Sequence, residues 1–161
     1  MITISASMMP FVQITVALLL GGLLGLERTF AHKTAGLRTY SLVSMGSCLL
    51  IIISNLVIAP LSNVSGIDPL RLAAGIVTGI GFLGAGLIIF KDSKISGLTT
   101  AAGLWVACAI GIAVGFELFS IAVFATSLTL FTFSVLWIFE NKIKKIVDRN
   151  DLDNGDNRSS L

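Results

Sequence analysis

The chain has 161 residues, 55% of them hydrophobic and only 12% charged. A soluble protein of this size needs far more charge to cover its surface, so a water-soluble globular domain is excluded. The net charge of +2 is small and its basic residues are dispersed, which excludes a nucleic-acid-binding surface.

Five stretches free of charged residues fill almost the whole length: 1–26, 39–67, 72–90, 95–116 and 118–139. Each can supply the roughly 17–25 apolar residues that a helix needs to cross a bilayer. The expected fold class is therefore an all-α integral membrane protein, a bundle of five transmembrane helices over residues 1–139, followed by a cytoplasmic tail over 140–161.

The first stretch lacks the basic start and small-residue cleavage site of a signal peptide and runs into Glu27-Arg28, so it reads as a retained span. Small residues recur in it every four positions, at Ala17, Gly21 and Gly25. The loop that follows carries Arg28, Lys33 and Arg38, with a solvated His32 among them. The second stretch contains Cys48, which behaves there as a small hydrophobe, as does Cys108 in the fourth. After it come Asp68 and Arg71.

Gly75 and Gly79 open a glycine row in the third stretch that continues through Gly81, Gly84 and Gly86. In the fourth, Gly103, Ala107, Gly111 and Gly115 repeat at intervals of four. Helices already in lipid associate through close packing rather than through expulsion of water, and small residues permit it. Nine of the sixteen glycines lie between Gly75 and Gly115, so spans three and four are expected to form the tight core. A sharper alternative is a break in span three near Gly81–Gly86, freeing carbonyls to face a cavity. The string Gly79-Ile80-Gly81-Phe82-Leu83-Gly84 matches a dinucleotide fingerprint in form only, because no βαβ unit surrounds it.

The fifth stretch is aromatic, with Phe119, Phe124, Phe131, Phe133, Trp137 and Phe139. Residues 140–149 then alternate basic and apolar positions at helical spacing, the pattern of a segment lying at the headgroup level, and 150–161 is polar and expected to be disordered. Ten basic residues fall in the first and third loops and the tail, against Arg71 alone on the other side. The positive-inside rule then places those loops and the tail in the cytoplasm and the N-terminus outside.

Charge is confined to the span ends. Glu27 lies beside Arg28, Asp68 near Arg71, Asp92 between Lys91 and Lys94, and Glu117 in an outer turn. Carriers coupled to protons or cations usually hold a carboxylate or histidine at mid-membrane depth, and none stands there. No Ser/His/Asp set, metal-ligand cluster or phosphate loop is present, so the expectation is a protein that is not an enzyme and uses no cofactor. Glu27, Arg28, Arg38, Asp68, Arg71, Asp92, Thr99 and Thr100 are the candidates for contact with a partner. Gly21, Gly25, Gly75, Gly79, Gly81, Gly84, Gly86, Gly103, Gly111 and Gly115 are the candidates for helix packing.

Three segments together resemble the MgtC/SapB family. They are Gly25-Leu26-Glu27-Arg28 with Ala35-Gly36-Leu37-Arg38-Thr39; Asp68-Pro69-Leu70-Arg71-Leu72-Ala73-Ala74 running into Gly79-Ile80-Gly81-Phe82-Leu83-Gly84-Ala85-Gly86; and Gly97-Leu98-Thr99-Thr100-Ala101-Ala102-Gly103-Leu104-Trp105 with Ala109-Ile110-Gly111. The resemblance implies a multi-pass protein of the bacterial plasma (inner) membrane, non-enzymatic and linked to growth at low magnesium and, in some members, to survival inside macrophages. It implies a regulator that restrains the proton-driven ATP synthase in the best-studied branch. The chain's length implies the short, SapB-like form without a soluble C-terminal domain. Thr99 stands where the virulence branch has asparagine, Val106 where it has cysteine, Gly75 where a glutamine is common and Ser96 where an arginine precedes the Gly-Leu pair. These differences set the chain apart from the synthase-directed branch without disturbing the fold. The expected partners are membrane lipid and another membrane protein or a second copy of the chain. Mg2+ enters only under the alternative of an oligomeric cation transporter or channel.

Overall fold

A computed structural model describes residues 8–58, 70–91 and 94–136. The expectations for Asp68, Asp92 and the tail over 140–161 lie outside the described residues. Four helices are long and apolar enough to cross a membrane: α1 (Met9–Phe30), α2 (Leu37–Ile58), α3 (Leu70–Leu87) and α4 (Leu98–Gly115). A shorter apolar helix, α5 (Phe119–Phe131), continues into a π-helical turn over Thr132–Leu136.

Local chemistry sets the helix ends. Pro10 lies in the first turn of α1, where its missing N–H costs nothing. Two helices end in the same closure. At the end of α1, Lys33 N–H donates to Arg28 O at 3.0 Å and His32 N–H to Thr29 O at 3.1 Å. At the end of α4, Leu118 N–H donates to Ala113 O and Glu117 N–H to Val114 O, both at 2.9 Å. This pair of hydrogen bonds satisfies carbonyls that the helix itself leaves open. The turn needs a left-handed residue, and His32 (φ 54°) and Glu117 (φ 64°) supply it where glycine is usual.

The described residues are overwhelmingly helical, consistent with an all-α membrane protein, with one short addition: α3 and α4 are joined by an antiparallel hairpin of β1 (Ile89–Lys91) and β2 (Lys94–Ser96). Ile89 and Phe90 on one strand and Ile95 on the other favour it, and Phe90 pairs with Ile95. Gly97 then turns the chain into α4 with φ +88°, and a Cβ there would fall 2.9 Å from the Leu87 carbonyl carbon, so a side chain has no space.

One expectation is corrected: the core forms where α1, α2 and α4 meet rather than between α3 and α4. In α3 only 6% of the spanning window is buried, against 39% in α1 and in α2 and 50% in α4. α3 is a continuous helix through Gly81–Gly86, with no break. Gly75, Gly79, Gly81 and Gly86 have no described heavy atom within 4 Å of a side-chain position, and Gly84 meets only Ala101 Cβ, at 3.9 Å. A glycine row shows that a helix face can be approached closely; it does not say which element approaches it. Gly21, Gly25, Gly111 and Gly115 are the ones that α2 approaches. A Cβ on Gly21 would lie 2.6 Å from both Ser44 Cβ and Tyr40 O, and one on Gly115 would lie 2.7 Å from Ile51 Cβ. Gly103 is buried within α4.

Candidate functional site

The structure gathers two of the three family-like segments at one end of the bundle. The last turns of α1 meet the start of α2 backbone to backbone. A Cβ on Gly25 would fall 2.7 Å from Leu37 Cα and 2.8 Å from Gly36 O. Thr29, one turn further, donates its hydroxyl to Gly25 O at 2.9 Å and accepts the Leu37 N–H at 3.0 Å. It thereby satisfies a first-turn donor of α2 that has no partner in its own helix. Tyr40, fully buried, donates its hydroxyl across to Thr100 O in the first turn of α4 at 3.0 Å. One phenol thus ties α2, which opens within the first segment, to the third segment's α4.

Arg28 lies at this end and is 3% exposed. Its Nε donates to the carboxylate of Glu27, the next residue back, and both lie within electrostatic reach of the Tyr40 hydroxyl. A buried guanidinium is tolerated only when paired, and removing one member of such a pair costs roughly 3–5 kcal/mol. Glu27 remains partly open, its side chain 21% exposed. Arg38 and Thr99 are exposed at the same end, whereas Arg71 is exposed at the start of α3, at the far end. Glu27, Arg28 and Thr100 are therefore brought together, Arg38 and Thr99 flank them, and Arg71 is not part of the cluster.

Polar residues inside the spans complete the framework, and the sequence reading passed over them. At mid-bundle Ser44 is enclosed between Gly21 and Gly111; a Cβ on Gly111 would lie 2.8 Å from the Ser44 carbonyl carbon. Ser44 Oγ is the one buried side-chain polar atom without a partner among the described residues. One turn on, Ser47 donates to Val43 O at 2.8 Å and its oxygen stands 3.2 Å from Cys108 Sγ. At the far end Gln13, 5% exposed, donates both amide hydrogens, to Val114 O at 3.0 Å and Gly115 O at 2.9 Å. Asn55 approaches Gly115 O at 3.5 Å. A signal was present for Gln13, which precedes Ala17, Gly21 and Gly25 at intervals of four and so shares their face.

Beside this framework an apolar groove of about 500 Å3 opens between α2 and α3, bordered by Val43, Gly46 and Leu50 on one side and Gly75, Gly79 and Leu83 on the other. No group of three or more His, Cys, Asp or Glu that could hold a metal ion occurs among the described residues. The arrangement offers a rigid polar cluster at one end and an apolar groove along the side.

The sequence model of the MgtC family matches residues 14–142. The Escherichia coli (strain K12) protein YhiD, a candidate magnesium transporter by its name, is 38% identical over 141 residues, covering 86% of this chain and 64% of its own. Protein MgtC of Brucella abortus (strain 2308) is 48% identical over 110 residues, covering 68% of this chain and 44% of its own. An uncharacterized protein of Haemophilus influenzae is 42% identical over 124 residues, covering 74% and 52%. The chain thus spans between about two fifths and two thirds of the length of these relatives. No solved structure matches it.

Proposed function

Since the chain belongs to the MgtC family, we propose that it is a bacterial inner-membrane regulator in magnesium homeostasis or stress adaptation, acting by contact with another membrane complex and without catalytic chemistry. It inserts with five crossings, its N-terminus outside and its basic loops and tail in the cytoplasm, where Glu27, Arg38 and Thr99 are offered to the partner. The ATP synthase is the partner that the family resemblance suggests. The observation that carries this reading is the cluster of Gly25, Arg28, Tyr40 and Thr100. It unites separate family-like segments in a close-packed end whose exposed rim is polar, a design suited to a fixed contact surface. Transport of a hydrated divalent cation would instead call for oxygen ligands along a path.

Complementation at limiting Mg2+ tests the proposal. Arg38→Ala, at an exposed position, should leave the membrane level of the protein unchanged and weaken growth support at least several-fold. Full complementation by Arg38→Ala and by Glu27→Gln together would remove the rim from the mechanism.

A second reading, a Mg2+ transporter, is favoured by the name of the Escherichia coli relative. Vesicles containing only the pure chain separate the two. The regulator leaves Mg2+ uptake at the background of empty vesicles. Saturable uptake, reduced by Asp68→Asn or Asp92→Asn, would establish the transporter.

A further inference from the structure

We infer that α1–α2 and α3–α4 are two copies of one helical hairpin, and that α3 is the movable helix of the pair, able to close on α2 as α1 is closed on α4. Gly25-Leu26, Lys33, Gly36-Leu37 and Thr39 recur 61 residues later as Gly86-Leu87, Lys94, Gly97-Leu98 and Thr100. α2 and α4 begin at the same spacing, at Leu37 and Leu98. Ser47 and Cys108 are also 61 residues apart, and they touch, at 3.2 Å. A residue in contact with its own counterpart lies on a two-fold axis. Here the axis runs between α2 and α4 along the membrane normal, since each hairpin starts and finishes at the same end of the bundle.

That axis exchanges α1 with α3 and α2 with α4, so the seam between α1 and α4 has its counterpart between α3 and α2. The two seams differ. The first is shut, with the Gln13 amide fastened to the last carbonyls of α4. The second is the open groove of about 500 Å3. The counterpart of Gln13 is Ala74, which has no amide with which to hold the end of α2. α3 is held chiefly by α4, with Gly84 against Ala101, and Ile80 is its one buried residue. Gly75 and Gly79 on α3 and Gly46 on α2 border the groove, and no described atom lies within 4 Å of a Cβ placed on any of them. Glycine weakens a helix relative to alanine, so its presence here calls for another reason. Three glycines along an open groove therefore leave room for backbones to approach, with packing as the driving force. The open groove is one position of α3, and contact with α2 is the other.

Disulfide trapping in native membranes tests the inference. In the full chain carrying Cys48→Ala and Cys108→Ser, Gly46→Cys and Gly79→Cys are introduced together. A disulfide requires the two Cβ atoms to come within about 3.5–4.5 Å, so its formation reports the approach of α3 to α2. Oxidation is expected to join the two positions within one chain, and Gly75→Phe, which fills the groove, to slow the reaction at least ten-fold. If the glycine replacements lower the protein level, Val43→Cys with Ile76→Cys reads the same seam. Thiols that stay free to alkylation in a variant with the parent's level and melting temperature would overturn the inference. So would a disulfide formed only between two chains, which would assign the groove to a second copy.

Discussion

Gly111→Ala and Gly79→Ala add the same methyl group to two helices and should move stability in opposite directions. At Gly111 the new Cβ would stand 2.8 Å from the Ser44 carbonyl carbon and 2.9 Å from its Cα, and closer still to its carbonyl oxygen. All three atoms are backbone, so α2 and α4 must separate. Overpacking of this kind costs roughly 1–3 kcal/mol, and alanine returns up to about 1 kcal/mol of helix propensity. The net is a destabilisation of up to about 2 kcal/mol, with Gly111→Leu worse. At Gly79 no described atom lies within 4 Å, so only the propensity gain of up to about 1 kcal/mol applies. For a chain of this size each kcal/mol moves the melting temperature by about 2–4 °C. Thermal unfolding of the purified chain in nanodiscs, followed by tryptophan fluorescence, should show Gly111→Ala lowered by several degrees and Gly79→Ala level or raised. A Gly111→Ala protein that melts with or above the parent would refute the assignment of the α2–α4 crossing.

Three further outcomes follow from named contacts. Glu117→Gly and His32→Gly each relieve a left-handed backbone position that costs a side-chain-bearing residue about 1–2 kcal/mol, so each should raise the melting temperature by a few degrees without altering function. Gln13→Leu keeps the volume but removes both bonds to Val114 O and Gly115 O, and should lower stability by about 1–3 kcal/mol in the same unfolding assay. Tyr40→Phe deletes only the hydroxyl that reaches Thr100 O, and should cost about 0.5–1.5 kcal/mol, read as a small fall in melting temperature.

The membrane class and four long helices were legible in the sequence because both rest on runs of apolar residues, a property of composition. The arrangement was not, because lipid and protein present similar apolar surfaces to a helix. Spacing alone therefore made the row from Gly75 to Gly86 look equivalent to the pair Gly21 and Gly25. What separates them is the neighbour: Tyr40 and Ser44 lie against the α1 glycines, and nothing described lies against most of those on α3. The hairpin at Ile89–Ser96 went unread because two three-residue strands show no period. The candidate cluster was visible as motif residues, Glu27, Arg28 and Thr100, but Tyr40 was hidden by its position inside an apolar run. Its partner is a backbone carbonyl sixty residues away, which leaves no trace in side-chain pattern.

The Gln13 clasp imposes an order on the making of this protein. Its acceptors, Val114 and Gly115, are encoded 101 and 102 residues downstream. At the usual 5–20 residues per second of synthesis, α1 leaves the ribosome roughly 5–20 s before they exist. Throughout that interval the amide has no protein partner on α4 and must keep to water or to the insertion machinery. The first helix therefore reaches its final seat only when the fourth arrives, and a ribosome stalled before Val114 leaves an α1 that has entered the membrane unfastened.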